Sequence, residues 1–183
     1  MSALVIIDVQ RDILAVPGAA RAVVGERFAK VRERLAELIG RAHAADRPVI
    51  FIQHDGPAGH RLETGTRGWE LHPDLPRQPG DIVVHKTACD SFHDTALQVV
   101  LAERRIGHLV IAGLMTQYCV DTTCRRAVSL GFDVTLVADA HTTADSGTLQ
   151  VEQIVAHHNA LLDGFDAGSA TIRVKPLAQV AFT

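Results

Sequence analysis

The sequence predicts a three-layer α/β fold, a mostly parallel, Rossmann-like sheet of five or six strands held between helices. Three observations carry this reading. Short apolar runs such as Val110-Ile111-Ala112 lack the alternation of a half-solvated strand, so they suit strands covered on both faces. Amphipathic stretches separate the runs, and strand–helix–strand order makes parallel crossovers. A charged residue or glycine closes several of the runs, at Asp8, Lys86 and Gly113, which marks those strand tips.

The chain has 183 residues, enough for one domain over residues 1–183 with a full core. A net charge of -3 spread over both signs leaves no basic face for nucleic acid and no polybasic membrane patch. The start, Met1-Ser-Ala-Leu-Val-Ile-Ile-Asp8, has no basic segment before its apolar run. Asp8 cuts that run far short of a signal peptide or a membrane span, which points to the cytoplasm. Three cysteines, an odd count, do not describe a disulfide framework. Cys119 and Cys124 lie about 140° apart on a helix, so they should not pair, and Cys124 reads as core.

In chain order, Ala3–Ile7 is the first buried strand, ending at Asp8. Pro17-Gly18 marks a loop. Val24, Phe28, Val31, Leu35, Leu38 and Ile39 recur at three- and four-residue steps, which gives a long helix over about 20–45. Val49–Ile52 is the second strand. Residues 54–81 hold many glycines and prolines and the only tryptophan, Trp69. A stretch of that length without regular structure reads as a substrate-covering loop. Asp81–His85 is the next strand, ending at Lys86. Asp94 is the expected cap of a helix to about Arg105. His108–Ala112 forms another strand, broken by Gly113. A helix then opens at Cys119 and stops at Gly131. Phe132–Val137 is a strand, a helix follows over about 148–161, and Thr171–Val174 is a possible final strand.

Ligands of an open parallel sheet bind outside the carboxyl ends of its strands. Asp8, Lys86 and Cys119 all fall there. A thiol at a helix start lies in the positive end of the macrodipole, and a nearby ammonium favours its thiolate. A carboxylate beside it could take its proton. Backbone N–H groups at Met115 and Cys119 could hold an oxyanion. Taken singly, each residue has a plainer reading. Cys119 could be a small buried hydrophobe, Asp8 a loop cap and Lys86 a surface charge. Their convergence at equivalent strand ends favours chemistry.

Asp8-Val-Gln10, Lys86 ahead of Ser91-Phe92, and Ala112-Gly-Leu-Met-Thr-Gln-Tyr-Cys119-Val-Asp-Thr-Thr resemble the isochorismatase-like cysteine hydrolase family. The likeness spans nearly the whole chain, including Gly131 and Val137-Ala-Asp139-Ala. It implies a catalytic triad of Asp8, Lys86 and Cys119, with Asp8 as the base. It also implies a cis peptide at Leu114–Met115 that aims the Met115 and Cys119 N–H groups at the oxyanion. Members act on small amides, ureido and carbamoyl compounds through a thioester and usually form dimers or tetramers; for this chain no cofactor is expected. The family often has Phe where this chain has Ile13. The metal-binding pattern of its nicotinamidase branch is not matched in order or spacing by His54, Asp55, His60 and His72, so no metal is expected. Gln10, Ile13, His54, Trp69, Phe92, Leu114 and Tyr118 are the candidate substrate-binding residues. Core packing is the equal alternative for Phe92 and Leu114. The resulting expectation is a hydrolase of small-molecule C–N bonds. The alternatives are isochorismate-type vinyl ether hydrolysis and a non-catalytic or redox-sensing role.

Overall fold

The computed structural model describes residues 1–15 and 20–183, so the Pro17-Gly18 loop lies outside the described residues. Among the described residues seven strands form one sheet: β1 (Ser2–Ile7), β2 (Val49–His54), β3 (Ile82–Lys86), β4 (His108–Leu114), β5 (Asp133–Thr142), β6 (Asp166–Ala167) and β7 (Ala170–Lys175). Their order is β3-β2-β1-β4-β5-β7-β6, with every pairing parallel except the short β6–β7 hairpin. The hairpin accounts for the strand beyond the expected five or six, since two residues are too few to show a periodicity.

Strands β1 and β4 occupy the centre and are covered on both faces. Alternate residues of β1 feed two separate cores, Leu4 and Ile6 on one side and Ala3, Val5 and Ile7 on the other. Helix α1 (Ala20–Ala44) lays Phe28, Val31, Leu35, Leu38 and Ile39 on the first face. Helices α2 (Leu97–Glu103) and α3 (Asp121–Ser129) bring Leu97, Leu101, Cys124, Ala127 and Val128 to the second. Helix α4 (Val151–Leu162) adds Leu162 there.

Several boundaries differ from the sequence reading for local reasons. Asp94 does not cap α2; it takes a left-handed φ of 51°, and the Thr95 hydroxyl receives the Leu97 N–H instead. Helix α4 starts at Val151, where Gln150 and Gln153 close a capping box. Gly131 does sit in the left-handed position after α3, with φ 88°. Strand β5 runs on to Thr142, well past Val137.

Gly113 lies within β4 rather than ending it. Its φ is 124°, and a Cβ there would stand 2.2 Å from the Ile7 carbonyl oxygen. Only glycine lets β4 approach β1 this closely. That approach matters because the chain order reverses between β1 and β4, the kind of switch point that opens a crevice in a parallel sheet. Gly113→Ala is therefore expected to lower the unfolding free energy by more than about 2 kcal/mol. The measurement is the denaturant midpoint at unchanged slope, and a midpoint equal to the parent's would contradict this packing.

Candidate functional site

Asp8 follows β1 directly and is fully buried. It adopts φ 50°, a conformation that Asp tolerates better than most side chains. Lys86 ends β3, two strands away, and its long side chain passes the end of β2 to reach the centre. Its Nζ lies 2.7 Å from Asp8 Oδ2 and donates to Cys119 Sγ at 3.2 Å and to the Ala88 carbonyl at 2.9 Å. One ammonium thus joins a carboxylate and a thiol. Asp8 Oδ1 is buried and has no hydrogen-bond partner among the described residues, so it is available to accept a proton.

Cys119 is not the first residue of a helix. It lies in a single π-turn, Thr116–Val120, that precedes α3. The Leu114–Met115 peptide bond just before that turn is cis. Nor is the thiol predisposed to ionise, contrary to the helix-start argument. Burial pushes its pKa up, the Asp8 carboxylate adds to the rise, and Lys86 opposes both without prevailing. Burial likewise raises Asp8 against the pull of Lys86. The resting arrangement is a buried ion pair beside a protonated thiol. Cys124 is buried in the second core and all three cysteines are free.

Asp8 and Cys119 line a cavity of about 200 Å³ together with Ile13, His54, His60, Arg61, Leu62, Cys89, Met115 and Tyr118. Of the candidate substrate-binding residues, Ile13, His54 and Tyr118 line this cavity. Gln10, Trp69, Phe92 and Leu114 are not part of the lining. Gln10 is buried and spends its amide on backbone: it donates to the carbonyls of His54 at 2.9 Å and Trp69 at 2.8 Å and accepts from the His54 N–H. Trp69 donates to Asp55 Oδ1 at 2.7 Å and stacks on His85 beside a different cavity. Phe92 stacks on Phe132 within the second core, and Leu114 is fully buried in the first. Both took the packing alternative.

His60, Arg61, Leu62 and Cys89 escaped the sequence reading as wall residues. The first three come from the 54–81 loop, whose composition signals a loop without ordering its side chains. Cys89 could have been found, because it follows Lys86 by only three residues. The histidines near that loop go separate ways: Asp55 holds Trp69 and His85, while His72 meets Arg32 at 2.7 Å. The described residues contain no cluster of three or more His, Cys, Asp or Glu arranged to hold a metal. No helix among them is long and apolar enough to cross a membrane.

A family model described as the isochorismatase domain matches residues 2–168. The chain belongs to the isochorismatase family. Among relatives in that family, a streptothricin hydrolase of Streptomyces noursei is 38% identical over 151 residues, covering 79% of this chain and 51% of that protein. The chain thus spans about half the length of that relative. The ureidoacrylate amidohydrolase RutB of Caulobacter vibrioides is 30% identical over 171 residues, covering 76% of each. The crystal structure of an isochorismatase from Pseudomonas putida KT2440 matches this isochorismatase fold with a TM-score of 0.85 at 28% identity. That match covers 98% of this chain and 90% of the other.

The turn that carries Cys119 is braced from behind. His141 Nε2 lies 2.8 Å from Asn159 Oδ1, and the Asn159 amide in turn donates to the Ala138 carbonyl at 3.0 Å. His141 therefore carries its proton on Nε2, and its Nδ1 accepts from the Thr116 hydroxyl at 2.9 Å. Burial drives the His141 pKa down to about 4. The folded value lies below the unfolded one, so the unfolded chain binds the extra proton and stability falls as pH drops from about 6.5 to 4. The expected contribution is on the order of 3 kcal/mol across that window. His141→Gln should flatten the slope of unfolding free energy against pH there. An unchanged slope would show that His141 does not stay neutral in the fold.

Proposed function

We propose that this protein is a cysteine-dependent hydrolase that cleaves a C–N bond of a small amide, ureido or carbamoyl compound through a covalent thioester. The observation that carries the proposal is the Lys86 ammonium set 2.7 Å from the Asp8 carboxylate and 3.2 Å from the Cys119 sulfur, behind a cavity that Asp8 and Cys119 line. The names of two relatives, a streptothricin hydrolase and a ureidoacrylate amidohydrolase, support C–N hydrolysis as the reaction class.

The raised thiol pKa assigns the first step to base-assisted attack rather than to a preformed thiolate. As Cys119 Sγ bonds to the substrate carbonyl carbon, its proton passes to Asp8. The carboxylate raised by burial is suited to accept it. Lys86 offsets the negative charge that moves between sulfur and carboxylate. The oxyanion is held by the N–H groups of Met115 and Cys119. Support for the first of these is that the Met115 N–H makes no backbone hydrogen bond among the described residues. Collapse of the tetrahedral species breaks the C–N bond, and Asp8 returns the proton to the leaving nitrogen. Water then attacks the thioester while Asp8 takes one of its protons. The S–C bond breaks, and the thiol is restored by that proton.

Cys119→Ala should abolish turnover while leaving circular dichroism and the unfolding midpoint near the parent's; amidase activity retained in this variant would refute the scheme. Asp8→Asn should lower kcat by about 10²- to 10⁴-fold, the range for loss of a general base. Mass spectrometry of parent protein exposed to primary amides, ureido acids and nicotinamide should detect an acyl or carbamoyl adduct on the Cys119 peptide. An adduct on Cys89 alone would reassign the nucleophile.

A further inference from the structure

The charges around the cavity do not balance. Asp8 and Lys86 cancel as a contact pair. Burial and the nearby Lys86 charge hold His54 below its ordinary pKa, so it stays neutral at neutral pH. His60 Nδ1 accepts the Leu62 N–H, which ties that ring nitrogen to a backbone donor. The remaining charged group in the lining is Arg61. Arg11, Arg27, Arg32 and Arg34 each meet a carboxylate, and other arginines that meet none among the described residues, such as Arg47, Arg67, Arg105 and Arg173, lie outside the cavity lining. Among the described residues the Arg61 guanidinium meets none, and its hydrogen-bond contact is the Met115 thioether at 3.5 Å. A thioether is among the weakest acceptors in a protein, while a guanidinium offers five donors in a planar fork.

The backbone beneath this side chain is pinned. Gly56 N–H donates to the Leu62 carbonyl at 2.9 Å, and the Thr64 N–H returns to the Gly56 carbonyl at 3.2 Å. A Cβ on Gly68 would stand 2.6 Å from the Arg61 carbonyl oxygen, so the loop packs against itself at this point. Arg61 therefore projects from a closed turn beside Met115, the residue that leads into the turn carrying Cys119.

We propose that Arg61 makes this site selective for substrates bearing a carboxylate, which its guanidinium grips across the cavity from the scissile carbonyl. The assignment rests on the reading of Cys119 as the nucleophile, since that reading fixes which cavity holds substrate. Arg61 is a binding residue, not a participant in bond cleavage. Filling the cavity strips water from an otherwise exposed guanidinium, and a bidentate carboxylate replaces the thioether.

The test separates binding from chemistry. Calorimetry on the Cys119→Ala protein compares 3-ureidopropanoate with propylurea, its analogue of similar length without the carboxylate. The acid should bind about 10- to 100-fold more tightly, as a charge-assisted pair predicts. Adding Arg61→Gln should shrink that ratio to within about threefold, and Arg61→Lys should restore part of it. Equal affinities, a ratio that Arg61→Gln leaves unchanged, or no binding of ω-ureido and ω-amido acids at millimolar concentration would each overturn the proposal. Turnover by the parent protein is read separately. A carboxylate preference without turnover of any acid would overturn the nucleophile assignment and leave the anion site standing. Turnover that favours propylurea would overturn the anion site alone.

Discussion

A carboxylate and an ammonium buried 2.7 Å apart are the constraint around which the site is organised. Removing two such charges from water costs roughly several kcal/mol for each ion, and their attraction recovers it only when the geometry is fixed. The sheet supplies that geometry. Asp8 is presented at the tip of β1, Lys86 arrives from two strands away on one side, and β4 approaches β1 closely at Gly113 on the other. The thiol inherits an electrostatic setting in which the pair largely cancels itself. Burial then decides the state of the sulfur, and the proton stays on it until a substrate arrives.

The nucleophile turn depends on elements remote in sequence. Thr116 opens the turn, His141 from β5 receives its hydroxyl, and Asn159 from α4 fixes the histidine tautomer. Helix α4 makes no contribution to the cavity lining, yet its asparagine reaches the turn through two hydrogen bonds. This arrangement explains why β5 continues beyond the apolar run that announced it: the extra residues carry His141 to the Thr116 side chain.

Much of this architecture was legible from the residues. Apolar runs without alternation located the buried strands, and the period of α1 located its inner face residue by residue. Asp8, Lys86 and Cys119 could be grouped because strand tips are visible in sequence as the points where apolar runs stop. What could not be read were effects of proximity without a local signature. The rise of the thiol pKa depends on how deeply Cys119 sinks. Gln10 and Trp69 are conspicuous in sequence but serve the loop rather than the cavity. Arg61 and His60 lie in a segment with no periodicity, where only the folded path decides which side chain faces inward.

Gln10 ties both ends of the stretch from His54 to Trp69 to one buried amide. Such a tether shortens the loop that must be closed, so the entropic cost of the segment falls mainly on the clamp and not on its outer residues. The solvent-exposed rim residues His60 and Arg61 thereby stand apart from the buried core that Leu62 joins. Exposed side chains such as His60 and Arg61 can be exchanged at small thermodynamic cost, and the same buried pair and thiol can be offered to a differently shaped molecule.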